Sequence, residues 1–165
     1  MAAGIFCSHD GGGAMAGMKE TVWETSSAED TIRVGREIAA EMKLPKVLIL
    51  RGGLGAGKTT LVKGIAEALD AADADEVTSP TFTLLHEYEG ERDGAPVPLY
   101  HLDVYRLESE RQLETVGWEE LAGANSLVLI EWGEKFPVVV ERADGEIVLE
   151  SRDGESRKIT LRLKC

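Results

Sequence analysis

The stretch that most constrains the fold is Gly52-Gly53-Leu54-Gly55-Ala56-Gly57-Lys58-Thr59, which fits the phosphate-loop pattern G-x-x-x-x-G-K-[ST]. A loop of this kind needs a strand before it and a helix after it. Val47-Leu48-Ile49-Leu50 is a short apolar run, as a strand covered on both faces would be. From Thr60 to Leu69, the residues Leu61, Val62, Ile65 and Leu69 recur on one helical face. The glycines let the backbone wrap close to an anion with its N–H groups turned inward. The helix points its positive N-terminal end at the same place. Lys58 is expected to reach the β- and γ-phosphates of a nucleotide, and the Thr59 hydroxyl to bind Mg2+.

Two further strands carry an acid near their ends. Val97 to Val104 contains Tyr100-His101-Leu102-Asp103, and the alternation of a strand puts His101 and Asp103 on one face. Leu127-Val128-Leu129-Ile130-Glu131-Trp132 is four apolar residues followed by a carboxylate, the Walker B arrangement with a single acid. An acid in such a place can hold Mg2+ or direct the attacking water. A surface ion pair of Asp103 with Arg106 is the alternative.

The chain has 165 residues, enough for one domain with a full core. Its 18 basic and 30 acidic side chains leave a net charge of −12. Gripping nucleic acid directly takes clustered Lys and Arg, so a role near RNA is expected to run through a partner. The two cysteines, Cys7 and Cys165, form no metal spacing and fit a reducing compartment. Cys7 and His9 alone are too few for a metal site. No apolar run is long enough to span a membrane, and the N-terminus lacks a secretory pattern. A cytoplasmic location is expected.

Residues 1–19, with Gly11-Gly12-Gly13 and few large apolar side chains, read as a disordered extension. Residues 20–165 read as a single domain. Thr21–Thr25 alternates like a strand, and Ser26 with Glu29 reads as a capping box. The following helix should turn Ile32, Gly35, Ile38, Ala39 and Met42 inward. Val77-Thr78-Ser79-Pro80-Thr81-Phe82-Thr83-Leu84-Leu85 allows two readings. It is either an ordinary edge strand or a loop whose hydroxyls approach the phosphates. Glu89–Gly94 is a turn, so 82–104 should form an antiparallel hairpin. Glu108–Leu121 is a helix interrupted near Gly117. Glu146–Glu150 and Lys158–Leu163 flank Asp153-Gly154 as a terminal hairpin. The expected fold is α/β: a mainly parallel sheet flanked by helices, with antiparallel additions from these two hairpins.

Four blocks in this order resemble one family, TsaE, the P-loop ATPase of bacterial tRNA threonylcarbamoyladenosine synthesis. They are Leu54-Gly55-Ala56-Gly57-Lys58-Thr59-Thr60, Ser79-Pro80-Thr81-Phe82-Thr83-Leu84, His101-Leu102-Asp103-Val104-Tyr105-Arg106-Leu107 and Ile130-Glu131-Trp132. The resemblance runs from about Ser26 to Gly154. It implies ATP and Mg2+ as cofactors. Gly53, Leu54, Gly55, Ala56, Gly57, Lys58, Thr59, Thr60 and Gly154 are the ATP-binding positions it implies. Thr59 and Glu131 are the implied metal ligands. Lys58, Asp103 and Glu131 are the implied catalytic set, and Ser79 and Thr81 fall in a switch-like segment. It also implies TsaB and TsaD as partners, with ATP turnover resetting their complex and TsaD transferring the group to adenosine 37 of tRNA. Contact with tRNA would be indirect, and no role on DNA or membrane is implied. This sequence has Gly53 where the family usually has Asp, and its first twenty residues have no family counterpart.

Two other functions share the phosphate loop. A small-molecule kinase usually carries an Arg-bearing lid, and no Arg cluster follows the switch-like segment. A non-hydrolytic module would use ATP only to set a shape for a partner. A GTPase is disfavoured by the lack of an N-K-x-D motif.

Overall fold

The computed structural model describes residues 3–7 (backbone), 17–123 and 125–164. The elements in chain order are β1 (Ala3–Cys7), β2 (Met18–Thr25), α1 (Ala28–Glu41), β3 (Lys46–Arg51), α2 (Lys58–Ala68), β4 (Leu85–Arg92) and β5 (Ala95–Asp103). They continue with α3 (Glu110–Val116), α4 (Trp118–Leu121), β6 (Leu127–Glu131), α5 (Pro137–Arg142), β7 (Gly145–Ser151) and β8 (Arg157–Lys164).

All eight strands form one sheet in the order β1-β2-β8-β7-β3-β6-β5-β4. The four central strands β7, β3, β6 and β5 are parallel to one another. The outer pairings, β1/β2, β2/β8, β7/β8 and β4/β5, are antiparallel. The sheet is therefore mixed, where the sequence led us to expect a mainly parallel one. The hairpins that looked like additions supply half of the strands. A parallel neighbour needs a crossover connection, whereas a short turn can return a strand beside its predecessor.

The centre reads as the sequence suggested. Val47–Leu50 and Leu127–Ile130 are neighbours and buried on both faces. One face of the sheet packs on α1 and α2, with Val34, Ile38, Leu61, Val62, Ile65, Leu99 and Leu129 among the buried residues. The other packs on α3, α4 and α5 through Leu102, Val128, Ile130, Leu113, Trp118 and Val139. The result is a three-layer arrangement with helices on both faces.

Helix α1 starts one residue later than the expected cap. Ser27 is the N-cap and accepts from the Asp30 N–H at 3.1 Å, while the Asp30 carboxylate accepts from the Ser26 N–H. The predicted Ser26–Glu29 box is replaced by a Ser27 cap, with Asp30 reaching one residue past the cap to the N–H of Ser26 rather than closing a reciprocal box. The shift also corrects the inward face. Thr31 and Val34 are buried, and Ile32 is only partly so. Thr31 is tolerated inside because its hydroxyl bonds that of Thr25 at 3.1 Å. The C-terminal end of α1 has no basic residue of its own, and Arg92 from β4 donates to the carbonyls of Ala39 and Met42 instead.

The helix expected from Glu108 to Leu121 is broken into α3 and α4 by Gly117 at φ 74°. Residues 77–84 are not an edge strand: β4 begins at Leu85, and Thr83 and Leu84 donate to the Pro80 carbonyl in a turn. β4 also runs through to Arg92, so its turn is only Asp93-Gly94. Within the expected extension 1–19, Ala3–Cys7 pairs with β2, and Met18 and Lys19 belong to β2 itself. The outer edge of β2 has backbone groups to satisfy, and a short strand satisfies them. Residues 1, 2 and 8–16, with His9 among them, lie outside the described residues, as does Cys165. Among the described residues no helix is long and apolar enough to cross a membrane.

Candidate functional site

Strands β3, β6 and β5 are adjacent and parallel, so their carboxyl ends open at one edge of the sheet. At that edge lies a cleft of about 660 Å³. It is lined by Leu54, Gly55, Ala56, Gly57, Lys58, Thr59 and Thr60, by Ser79 and Thr81, and by Asp103, Tyr105, Glu131 and Trp132. The crevice beyond strand carboxyl ends is where open α/β sheets bind ligands.

The glycine loop shapes one wall. Gly55 and Gly57 have φ of 76° and 98°, a left-handed backbone that favours glycine. Gly57 is the N-cap of α2, with no side chain capping it and no acid in the first turn. Helices α1 and α3, by contrast, are capped by Ser27 and Ser109. The first N–H groups of α2 have no side-chain partner, and a helix N-terminus is the end that attracts anions.

The sheet brings the two strand-end acids together. Asp103 and Glu131 are register partners on β5 and β6. Both are buried, at 6 % and 4 % exposure. Asp103 Oδ1 accepts the Tyr105 N–H at 3.0 Å. Arg106 does not pair with it and instead lies 5.1 Å from the centre of the Phe82 ring. Glu131 is held by two side chains. Its Oε1 is 3.0 Å from Lys58 Nζ, and its Oε2 is 2.7 Å from His101 Nε2. Burial pushes the Glu131 carboxyl up, but the hydrogen bonds and charges of His101 and Lys58 outweigh it and leave the group below its ordinary value.

Across the cleft, the hydroxyls of Ser79 and Thr81 are 2.7 Å apart. Trp132 sits at φ 65° directly after Glu131, with its ring 5.0 Å from that of Tyr105 and 5.7 Å from Lys58 Nζ. Lys135 donates to the carbonyls of Tyr105 and Leu107, which ties the segment after β5 to the turn after β6.

Two expected ligand positions do not line this cleft. Gly53 faces a neighbouring groove with Arg51, Trp132, Glu134 and Glu150, and a Cβ added there would meet nothing within 4 Å. Gly154 lies in the β7–β8 turn. Arg157 joins that turn to the glycine loop by donating to the carbonyls of both Gly154 and Gly55. Neither Arg157 nor the role of His101 was readable from spacing. Both depend on contacts between elements far apart in the chain, and only the placement of His101 on the face of Asp103 hinted at one.

The family model for Threonylcarbamoyl adenosine biosynthesis protein TsaE matches residues 25–159. This chain belongs to the TsaE family. The match takes in every cleft-lining residue and extends from the end of β2 into β8. Among TsaE relatives, the Bacillus subtilis (strain 168) protein is 39 % identical over 143 residues, covering 87 % of this chain and 85 % of its own. The Aquifex aeolicus protein is 36 % identical over 144 residues, covering 87 % of this chain and 96 % of its own. Both are tRNA threonylcarbamoyladenosine biosynthesis proteins. A crystal structure of Bacillus subtilis YdiB superposes with a TM-score of 0.65 at 33 % identity, covering 90 % of this chain and 88 % of that one. The TsaE assignment gives this chain a role in tRNA threonylcarbamoyladenosine biosynthesis.

Proposed function

We propose that this TsaE protein is a Mg2+-dependent ATPase that acts on a complex of TsaB and TsaD in the cytoplasm and does not itself transfer the threonylcarbamoyl group. The observation that carries this reading is the convergence of an uncapped glycine-loop helix end, Lys58, Thr59, Asp103 and Glu131 on one cleft. Loop and helix N–H groups would receive the phosphates, and the Lys58 ammonium would leave Glu131 to meet them. The Thr59 hydroxyl and the Asp103 and Glu131 carboxylates line this cleft together. That donor set fits Mg2+, which takes one or two carboxylates, a hydroxyl and substrate phosphate oxygens. Thr59 and Glu131 would hold it. When bound, it supplies neutralisation of the charge that builds up on the transferring phosphoryl group. Asp103, anchored by the Tyr105 N–H, would orient the attacking water.

The partner reading is supported by the rim. Four of the five large exposed apolar side chains among the described residues, Leu54, Phe82, Tyr105 and Trp132, lie on or beside residues of the cleft. Exposed apolar side chains grouped beside a site suit contact with another protein. The net charge of −12 argues against direct capture of tRNA.

The test is ATP hydrolysis by this chain alone and with TsaB and TsaD. Free phosphate that rises in the mixture and disappears with Lys58→Ala supports the reading. A phosphorylated small-molecule acceptor would make the protein a kinase, and ATP binding without turnover in the full mixture would make it a non-hydrolytic module.

A further inference from the structure

His101 is fully buried, with one ring nitrogen bonded and the other unpartnered. Strand alternation and the β5–β6 register place it on the face that carries Leu99, Leu127 and Leu129, which packs under α1 and α2. An apolar side chain would suit that face, and a polar ring there is costly unless its donors and acceptors are met. Nδ1 is buried without a partner. Nε2 lies 2.7 Å from Glu131 Oε2.

We infer that His101 is a positioning residue that fixes the Glu131 carboxylate, holding Oε2 from below so that Oε1 is the oxygen presented to the cleft. A carboxylate only accepts, so Nε2 carries the hydrogen of this bond. Oε1 is then the atom that meets Lys58 at 3.0 Å. The neighbouring acid needs no such support, because Asp103 is held by the backbone of its own turn. Glu131 ends its strand with Trp132 in a left-handed conformation behind it, and no backbone N–H among the described residues donates to its carboxylate. His101 takes that part, and the unmatched Nδ1 is the cost of placing a donor there. Groups that hold a metal-binding carboxylate or imidazole in this way set ligand orientation in metal sites generally.

This inference rests on the proposed Mg2+ site for the role of Oε1, but the orientation of Glu131 can be read without nucleotide. The variants are His101→Leu, which fills the space without a donor, His101→Gln, which carries an N–H at nearly the reach of Nε2, and His101→Asn, which is polar but too short. Crystal structures of the nucleotide-free variants should show Glu131 turned away in Leu and Asn and retained in Gln. ATP affinity is then measured with Mg2+ and with EDTA. The gain in affinity given by Mg2+ should fall by about 10-fold or more in Leu and Asn, and Gln should recover it to within about threefold. Affinity in EDTA should stay within about threefold of wild type in all three. Glu131 unmoved in His101→Leu or His101→Asn would overturn the inference. So would a folded His101→Gln as impaired as the others. A wild-type protein with no Mg2+-dependent ATP affinity would overturn the proposed function, and the nucleotide-free structures would still judge the role of His101.

Discussion

Lys58 Nζ lies 3.0 Å from Glu131 Oε1, so the loop lysine is paired with the strand-tip acid. The pair is largely buried, with side-chain exposures of 14 % and 5 %, so neither charge is left alone in the cleft. Under the proposed function, a phosphate ligand would draw Lys58 away from Glu131. The lysine would then exchange one anionic partner for another, and the acid would be released.

Lys58→Ala should weaken ATP binding by about 10- to 100-fold, since a charge-assisted hydrogen bond is worth ~1.5–3 kcal/mol. Calorimetry with unchanged affinity would remove Lys58 from the site.

Glu131→Gln should separate the two roles of the acid. Freed from its partner, Lys58 should bind ATP in EDTA as tightly as in wild type or a few-fold tighter, on the order of 1 kcal/mol. The additional affinity conferred by Mg2+ should be lost. A variant that keeps the full Mg2+ effect would show that Glu131 is no ligand.

Asp103→Asn is expected to leave ATP binding within about threefold and to lower turnover with TsaB and TsaD by roughly 100-fold, the scale of a lost general base. If instead binding collapses and turnover of the bound nucleotide persists, Asp103 and Glu131 exchange roles.

Helices α1 and α2 cross at a pair of glycines. A Cβ on Gly64 would stand 1.9 Å from the Ile32 carbonyl oxygen, and one on Gly35 would stand 2.3 Å from that of Leu61. Both obstacles are backbone and cannot turn aside. Gly64→Ala should therefore cost about 1–3 kcal/mol despite the better helix propensity of alanine, and denaturant melts should register it. A neutral result would mean that the helices are not in van der Waals contact there.

Acid stability should depend on Glu146, which bonds Arg51 at 3.0 Å and Arg162 at 2.9 Å across β7, β3 and β8. Burial pushes its carboxyl up, and the two guanidinium groups overcome this and hold it below its ordinary 4.5. A lowered folded value means that the contribution is fully present above 4.5 and fades as pH falls through the lower value. Glu146→Gln should destabilise by about 0.5–1 kcal/mol at neutral pH. The difference from wild type should shrink in melts as pH falls below 4.5. A difference that does not change with pH would show that the pairing is not electrostatic.

The sequence by itself determined the local elements and the chemical inventory. The apolar runs at Val47–Leu50 and Leu127–Ile130, the glycine pattern at 52–57 and the break at Gly117 each depend on residues close together in the chain. Periodicity and steric preference report such features directly. It also marked Asp103 and Glu131 as acids ending different strands. The tertiary structure decided what those acids meet. Sheet order put β5 beside β6 and made Asp103 and Glu131 register partners. Packing across the sheet set His101 beneath Glu131 and Lys58 above it. Strand pairing made the sheet mixed, and the Pro80 turn kept residues 77–84 out of it as a hydroxyl-bearing wall. The physical reason is common to these outcomes. Whether a side chain is a core filler, a surface group or a ligand depends on neighbours a hundred or more residues away, as Arg157 and Gly55 illustrate across 102 positions and Arg162 and Glu20 across 142. No window of local sequence contains that information.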